Sequence, residues 1–469
     1  MQNLTPITWL DHLSERKFFI LLFVIVFLIG LFLSLPALSY YWYTDDLFIV
    51  RRYTNAELLT AFTGNWDISG LLTPGWRPLT VAYYHLQSLL FGEAVQLHRL
   101  LAISMFSLHI TLLMLVARQL KFSRLTMLIA ALIYVCTKNT WWMMIWATDA
   151  LRSPMGILAN AAILMLIAHL KQPKGWKFAL AVLFYALALL IREEILFYTA
   201  IIPTLAFVYL LQRDDLLTQL RRWLSVSGLR TLVIYGGIVI TLTVAYWIVR
   251  GRLVPQSPLP LNLEGILFQM VAVLFPRLPA PSLVGSVILI VLFWIVLIVA
   301  LRVANKQVRW LTLIFLSFVL IACTPGISSW RADNLLQGIG FFALFVALLL
   351  RNFMRRSRLA AGVAVLALVG FIGGSAYMHK LAQETMHPYS LYSLEMIYKY
   401  TTEGYARSTI PLERVEYIKA EYAALGINSQ ADFDAIYPKI RESVQEGGPY
   451  HPDGEKPFMP WYPTFLSPW

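Results

Sequence analysis

Apolar positions in this chain fall in long runs rather than in alternation, and clusters of Lys and Arg punctuate the runs. About 20 consecutive apolar residues let a helix cross the hydrocarbon layer, so the pattern predicts a bundle of membrane-spanning helices. The first run, Phe18 to Leu38, follows Arg16 and Lys17, a signal-anchor arrangement with the N-terminus in the cytoplasm. Ala37-Leu38-Ser39 mimics a signal-peptidase site, but the run is longer than a secretory h-region and is read as a span. Further spans are expected at His98 to Ala117, Leu125 to Thr137, Ser153 to Leu170, Phe178 to Ile191, Ile195 to Leu211 and Thr231 to Val249. Four more follow at Leu283 to Leu301, Trp310 to Cys323, Leu335 to Leu350 and Leu359 to Tyr377. The total is about eleven spans with the C-terminus outside. Leu125 to Thr137 and Phe178 to Ile191 are short for a bilayer, and losing either would reverse every later loop. Leu79 to Phe91 is too short and too polar to cross and reads as an amphipathic helix on the outer surface. Leu263 to Phe275 reads as re-entrant or interfacial.

Composition agrees with the class. Of 469 residues, 58% are hydrophobic and 14% charged, and a mean hydropathy of +0.65 excludes a soluble globular domain of this length. The net charge of +12 does not call for nucleic acid, because about half of the 38 Lys and Arg fall in short loops on the predicted cytoplasmic side. Cys136 and Cys323 form neither a metal motif nor a disulfide framework. The expected organisation is an all-α transmembrane domain over 1–377, with a first outer loop at 39–97 and a small outer C-terminal domain at 378–469. That tail ends in PFMPWYPTFLSPW and carries no recognisable catalytic signature; it reads as a solvated appendage or as a module packed on the membrane or the loops.

The acids carry the functional signal. Before the tail only Asp11, Glu15, Asp214 and Asp215 fall on the predicted cytoplasmic side. The others crowd the outer face, several beside an arginine: Asp149 with Arg152, Glu193 and Glu194 with Arg192, Asp333 with Arg331. Asp45 and Asp46 adjoin where the first span leaves the membrane. Ionisable groups at the ends of apolar helices are costly unless paired or in a watery cavity, so the distribution predicts one polar site on the outer side. Trp141, Trp142 and Trp146 read as an interfacial belt, and His85, His98 and His109 as helix-packing residues rather than a metal cluster.

Asp45-Asp46, the Arg77-Pro78-Leu79 that precedes a surface helix, the His109-containing second span, TWWMMIWATDALRS (Thr140 to Ser153) and LLIREEILFYTAIIP (Leu189 to Pro203) together resemble a known family. In order and common side they look like the polyprenyl-phosphate-sugar-dependent glycosyltransferases of the GT-C superfamily. The resemblance is nearest to the bacterial and TMTC-like O-mannosyltransferase and aminoarabinose transferase branches. It covers about the first 210 residues, thins to single residues such as Arg331, and does not reach the tail. Arg192-Glu193-Glu194 stands where TMTC-like relatives commonly carry Lys-Glu, and Lys138-Asn139 replaces a frequent His-Pro.

The resemblance implies an inverting glycosyltransferase in a bacterial cytoplasmic membrane, working on its outer face. Its partners would be a polyprenyl-phosphate-sugar donor, membrane lipids, and a protein, lipid or glycan acceptor, with no nucleic acid. Asp45 or Asp46 is the expected base, and Asp149 would orient the acceptor or the base or help hold a divalent cation. Arg77, Arg192 and Arg331 are the expected ligands of the lipid phosphate, since a guanidinium keeps its charge and binds phosphate oxygens bidentately. His98, Glu193 and Arg152 complete the set as donor or acceptor contacts. Mg2+ or Mn2+ suits oxygen ligands of this kind, but relatives differ in needing one and no metal residue is assigned. A lipid-linked-sugar flippase predicts ionisable groups deep in the spans and internal repeats, neither of which is seen. An inactive scaffold with the same fold is the third reading.

Overall fold

The computed structural model describes residues 10, 12–38, 42, 46–67, 75–137, 140–213, 227–254, 283–304, 306–322 and 336–384, with 414, 416, 420, 423, 431, 432 and 435 of the tail. Among these residues every regular element is helical. In chain order they are α1 (Glu15–Leu38), α2 (Asp46–Ile49), α3 (Asn55–Thr63), α4 (Pro78–Phe91), α5 (Val95–Gln119), α6 (Arg124–Cys136), α7 (Trp141–Ile145) and α8 (Ala147–Ala150). Then come α9 (Arg152–Lys171), α10 (Gly175–Ile191), a 3₁₀ turn at Glu193–Phe197, α11 (Tyr198–Arg213), α12 (Ser227–Leu253), α13 (Leu283–Val303), α14 (Lys306–Ala322), α15 (Leu336–Met354) and α16 (Arg358–Glu384).

Each predicted span falls on one of these helices. Six are long and apolar enough to cross a membrane: Glu15–Leu38, Val95–Gln119, Arg152–Lys171, Glu193–Leu210, Gly228–Leu253 and Arg358–Tyr377. The other five predicted spans fall on helices whose described apolar stretches are shorter: Arg124–Cys136, Gly175–Ile191, Ile290–Arg302, Val308–Ile321 and Gly338–Met354. At about 1.5 Å per residue the 13 residues of α6 cover only about 20 Å, well short of the bilayer core. The re-entrant segment proposed at Leu263 to Phe275 lies outside the described residues.

Burial on α1 shows why such a sequence belongs in lipid. Phe18, Leu22, Val26, Gly30, Leu33 and Ala37 recur every three or four residues and face the protein, yet Ile20, Val24, Leu28, Phe32 and Leu35 on the opposite face are exposed and equally apolar. A helix apolar all round with half its surface outside the core is a membrane helix, not a soluble one. Small residues set the closest approaches. A Cβ on Gly30 would lie 3.1 Å from Met144 Sδ and 3.3 Å from Ile103.

The centre of the bundle is α5, α6 and α9, with α1, α15 and α16 packed on α6 and α10 paired with α9. At their junction His109 of α5 bonds Tyr134 Oη of α6 at 3.1 Å, and its carbonyl accepts from Asn160 of α9 at 3.3 Å. The ring fits only because residue 156 has no side chain: a Cβ there would overlap His109 Cε1 and Nδ1. We therefore expect Gly156→Ala to destabilise the detergent-solubilised protein by about 1–3 kcal/mol, the usual range for overpacking. An unchanged thermal midpoint would show that the ring gives way.

One local reading is refined and one corrected here. The helix at Leu79 to Phe91 forms, as α4, with Thr80, Val81, Tyr84, Gln87 and Ser88 facing inward and Leu86, Leu89 and Leu90 exposed. Trp141 and Trp146 are buried and do not form an interfacial belt. The Trp141 and Trp142 rings stack 4.0 Å apart and Trp142 lies 4.8 Å from Trp146, so the three pack on one another beside the predicted site.

Candidate functional site

Three breaks in the helices bring the predicted charges together. The first is between α8 and α9, where Leu151 joins a four-residue turn to the long helix and sets Asp149 and Arg152 three residues apart. The second follows α10, which ends at Ile191. Arg192 is extended, and the 3₁₀ turn begins with Glu193 and Glu194, acids at the positive end of the following helix. The third is the start of α4, where Pro78 occupies the first helical turn and Arg77 stands just outside it.

These segments meet through charge. Arg152, with 0% of its side chain exposed, donates Nη1 to Asp149 and binds Glu194 through Nε at 3.0 Å and Nη2 at 2.9 Å. Arg192 donates to Glu194 at 2.8 Å and lies 3.8 Å from Asp149. Arg77 grips Glu193 with Nε and Nη2 at 2.6 and 2.5 Å, leaving Nη1 outside both bonds, and its guanidinium lies 5.2 Å from the Trp66 ring. Burial opposes the charge on Arg77, but Glu193 and Glu194 more than offset it, and its pKa lies above the ordinary arginine value. Thr80 Oγ1 donates to Ile191 O at 2.8 Å, and Tyr246 Oη to Trp76 O at 2.9 Å, which hold Arg77 against the 192–194 turn.

Asp46 completes the group. Its Oδ2 accepts from Ala147 N at 3.2 Å, so the first loop docks on the very segment that carries Asp149 and Arg152. Tyr84 Oη donates to Ala147 O at 2.7 Å from the other side. Burial, and then the nearby Asp46, pushes the Tyr84 hydroxyl well above its usual pKa. A small cavity of about 10 Å³, room for about one water, is lined by Asp46, Tyr84, Gln87, His98, Arg99 and Trp42, among others. His98 reaches this wall with its ring nitrogens bonded to Gln87 Oε1 at 2.9 Å and Gly92 O at 3.1 Å.

The loop that carries Asp46 is braced at its far end. Thr54 and Glu57 form a capping box on α3, Arg51 pairs with Glu57 at 2.7 Å, and Tyr53 N donates to His85 Nδ1 at 2.9 Å. The Arg51 hydrogen bond draws the Glu57 carboxyl down from 4.5 to about 2, against a smaller opposing effect of burial. A depressed carboxyl pKa stabilises the fold above the unfolded value, and that stability is lost as pH falls from about 4.5 to about 2. We expect the wild-type loop to loosen across that window and Glu57→Gln to abolish the dependence. Pepsin cleavage beside Tyr53, measured at each pH because that protease is active throughout the window, reads the effect, and identical profiles for the two proteins would count against it.

Of the sequence-predicted residues, Asp46, Arg77, Asp149, Arg152, Arg192 and Glu193 fall in one connected group, with His98 on the adjoining cavity wall. Asp45, Lys138, Asn139 and Arg331 lie outside the described residues. Sequence reasoning passed over Glu194 as a site member although it is the acid that joins Arg152 to Arg192. It also passed over Tyr84, whose inward face with Thr80 and Gln87 is legible as polar positions four and three residues apart. The group does not suit a divalent cation: Asp149 and Glu194 both face Arg152 and Arg192, whose charges would repel one. Among the described residues no set of three His, Cys, Asp or Glu is arranged to hold a metal. Comparison with family models, curated proteins and solved structures finds no match to this chain.

Proposed function

We propose that the chain is an inverting glycosyltransferase that moves a sugar from a polyprenyl-phosphate donor to an acceptor on the outer face of a bacterial cytoplasmic membrane. The observation that carries this reading is the docking of Asp46 on Ala147, two residues before Asp149 of the buried Asp149, Arg152, Glu194, Arg192 group. A purely structural ion network explains the group less well. Burying charge costs several kcal/mol per ion before pairing, and apolar residues of similar volume commonly do as well or better. Retaining three arginines and four acids at one place fits a task that needs charge.

The residue types match the reaction. An acceptor hydroxyl or amine attacks the anomeric carbon while the bond from that carbon to the phosphate oxygen breaks, and the phosphate departs with the electron pair. The acceptor proton passes to the Asp46 carboxylate, with Asp45 as its alternative. Phosphate is a good leaving group, so no general acid is required, and Arg77 with Arg192 stabilises its growing charge. Arg77 has Nη1 outside its Glu193 bonds for a phosphate oxygen, while Glu193 fixes the plane of the fork. Arg152 and Asp149 hold the 147–152 segment on which Asp46 rests.

The proposed topology has about eleven spans, with the N-terminus cytoplasmic and the site and tail exoplasmic. The exposed Leu86, Leu89 and Leu90 of α4 then face lipid, with its polar side toward the site. Mass spectrometry of lipid that co-purifies with the protein tests the assignment. A polyprenyl phosphate or its glycosylated form is expected, and only bulk phospholipid would count against the donor class. In the same preparation, Arg77→Ala is expected to lower occupancy by that lipid about tenfold or more, the loss typical of a charge-assisted bond of 1.5–3 kcal/mol; unchanged occupancy would remove Arg77 from the donor site.

A further inference from the structure

Arg414, one of three arginines of the tail, is 0% exposed and lies against the loop of Asp46, some 368 residues away in sequence. A guanidinium has five N–H groups, and here all five are spoken for. Nη1 donates to Asp46 O at 3.0 Å and Leu47 O at 2.6 Å, Nη2 to Val50 O and to Glu93 Oε1 at 3.0 Å, and Nε to Glu93 Oε2 at 2.7 Å. The plane of the fork lies 4.6 Å from the Trp42 ring, and Trp42 Nε1 donates to the same Glu93 at 2.9 Å.

The need for such a group follows from the shape of α2. A helix of one turn leaves nearly all its carbonyls without partners in its own ladder, and α2 has only four residues. Leu47, Ile49 and Val50 are buried, so water does not supply the missing donors. One planar cation at the C-terminal end of the turn bonds the carbonyls of Asp46, which also accepts from Val50 N at 3.3 Å, of Leu47 and of Val50 just beyond the turn, and it meets the negative end of the turn's dipole. Lysine, with three donors on one atom, cannot span the same set.

We propose that Arg414 is a positioning residue: from the tail it clamps the turn that begins at Asp46 and so holds the Asp46 carboxylate against Ala147, which makes this part of the tail a working component of the site. The catalytic consequence rests on the transferase reading above; the clamp itself does not. Arg414 touches the backbone of Asp46 and not its carboxylate, so it acts through position alone. The network also reaches the cavity wall, since Trp42 packs edge-on against His98 at 4.9 Å.

Two readouts on the full-length protein separate the claims. In Arg414→Ala, limited trypsin digestion should cut after Arg51 or Arg52, directly beyond α2, at least tenfold faster than in wild type. An unchanged cleavage rate overturns the clamp. With polyprenyl-phosphate mannose and polyprenyl-phosphate aminoarabinose offered in parallel as donors, kcat should fall about 100-fold, the effect expected of a displacement near 1 Å, with donor KM within about twofold of wild type. A KM rise at unchanged kcat overturns the positioning role, because donor binding is assigned to the arginines of the 77 and 192 segments. Arg414→Lys preserves charge and keeps the test open if Arg414→Ala does not fold: it should remain folded with kcat about tenfold down, and full rescue overturns the argument from the planar fork. If wild type transfers neither sugar while cleavage accelerates in the variant, the clamp stands and the transferase reading falls.

Discussion

Asp46→Asn is expected to lower sugar transfer about 10²–10⁴-fold, the usual contribution of a positioned general base, while the protein folds and binds donor as before. The amide is nearly isosteric with the carboxylate and can still accept the Ala147 N–H at the 3.2 Å now spanned by Oδ2. The first loop therefore keeps its place on the 147–152 segment, and the change removes only the capacity to take a proton. Tyr84 beneath the same peptide, and the five bonds from Arg414 above it, do not depend on the charge of the Asp46 side chain. Transfer within about twofold of wild type would move the base to Asp45 or elsewhere and leave Asp46 as a tether.

The largest effect on stability is expected at Arg152. Its guanidinium is fully buried between Asp149 and Glu194, and Arg152→Ala would take its charge away from two carboxylates that also face Arg192. Breaking one partner out of a buried network costs about 3–5 kcal/mol, because the remaining charge stays buried without compensation. Denaturant unfolding in detergent, followed by tryptophan fluorescence, measures it. A loss below about 1 kcal/mol would mean that the carboxylates reach water or protonate. A companion variant replaces the network as a whole: Arg152→Met with Asp149→Leu and Glu194→Met should recover stability and yet transfer no sugar. Recovery of both would show that the charges serve neither structure nor chemistry.

The helices were legible because lipid makes the signal simple. On α1 nearly every position is apolar and on α5 most are, the boundaries follow the basic clusters, and the predicted spans differ from the helices by only a few residues at each end. The gathering of Asp46, Arg77, Asp149, Arg152, Arg192 and Glu193 was legible as geography, since acids placed on one side of a bilayer have few places to go. Their pairing was not. Nothing in ATDALR or REEI indicates that Arg152 reaches Glu194 while Arg77 takes Glu193, because both choices satisfy the same local charge pattern. The tryptophans misled for a related reason: WW followed by W four residues on fits a headgroup belt and a buried stack equally well, and only the fold of α7 onto α5 and α1 distinguishes them. Which face of α4 turns inward was not legible, because amphipathicity gives a helix two faces without saying which one meets the protein. Arg414 gave no signal at all. It sits in a polar tail among other charges, and its importance comes from three carbonyls in and just after a one-turn helix, whose burial sequence cannot show.

The central claim is that acids and guanidiniums gathered from distant segments form a site for breaking a sugar–phosphate bond. Release of polyprenyl phosphate from polyprenyl-phosphate sugars by the purified protein, followed by chromatography for wild type and Asp46→Asn side by side, tests it most directly. The account predicts steady release by wild type, a product of inverted anomeric configuration, and release by Asp46→Asn at most about one hundredth as fast. Donor left intact by wild type, or consumed equally by both proteins, would contradict it.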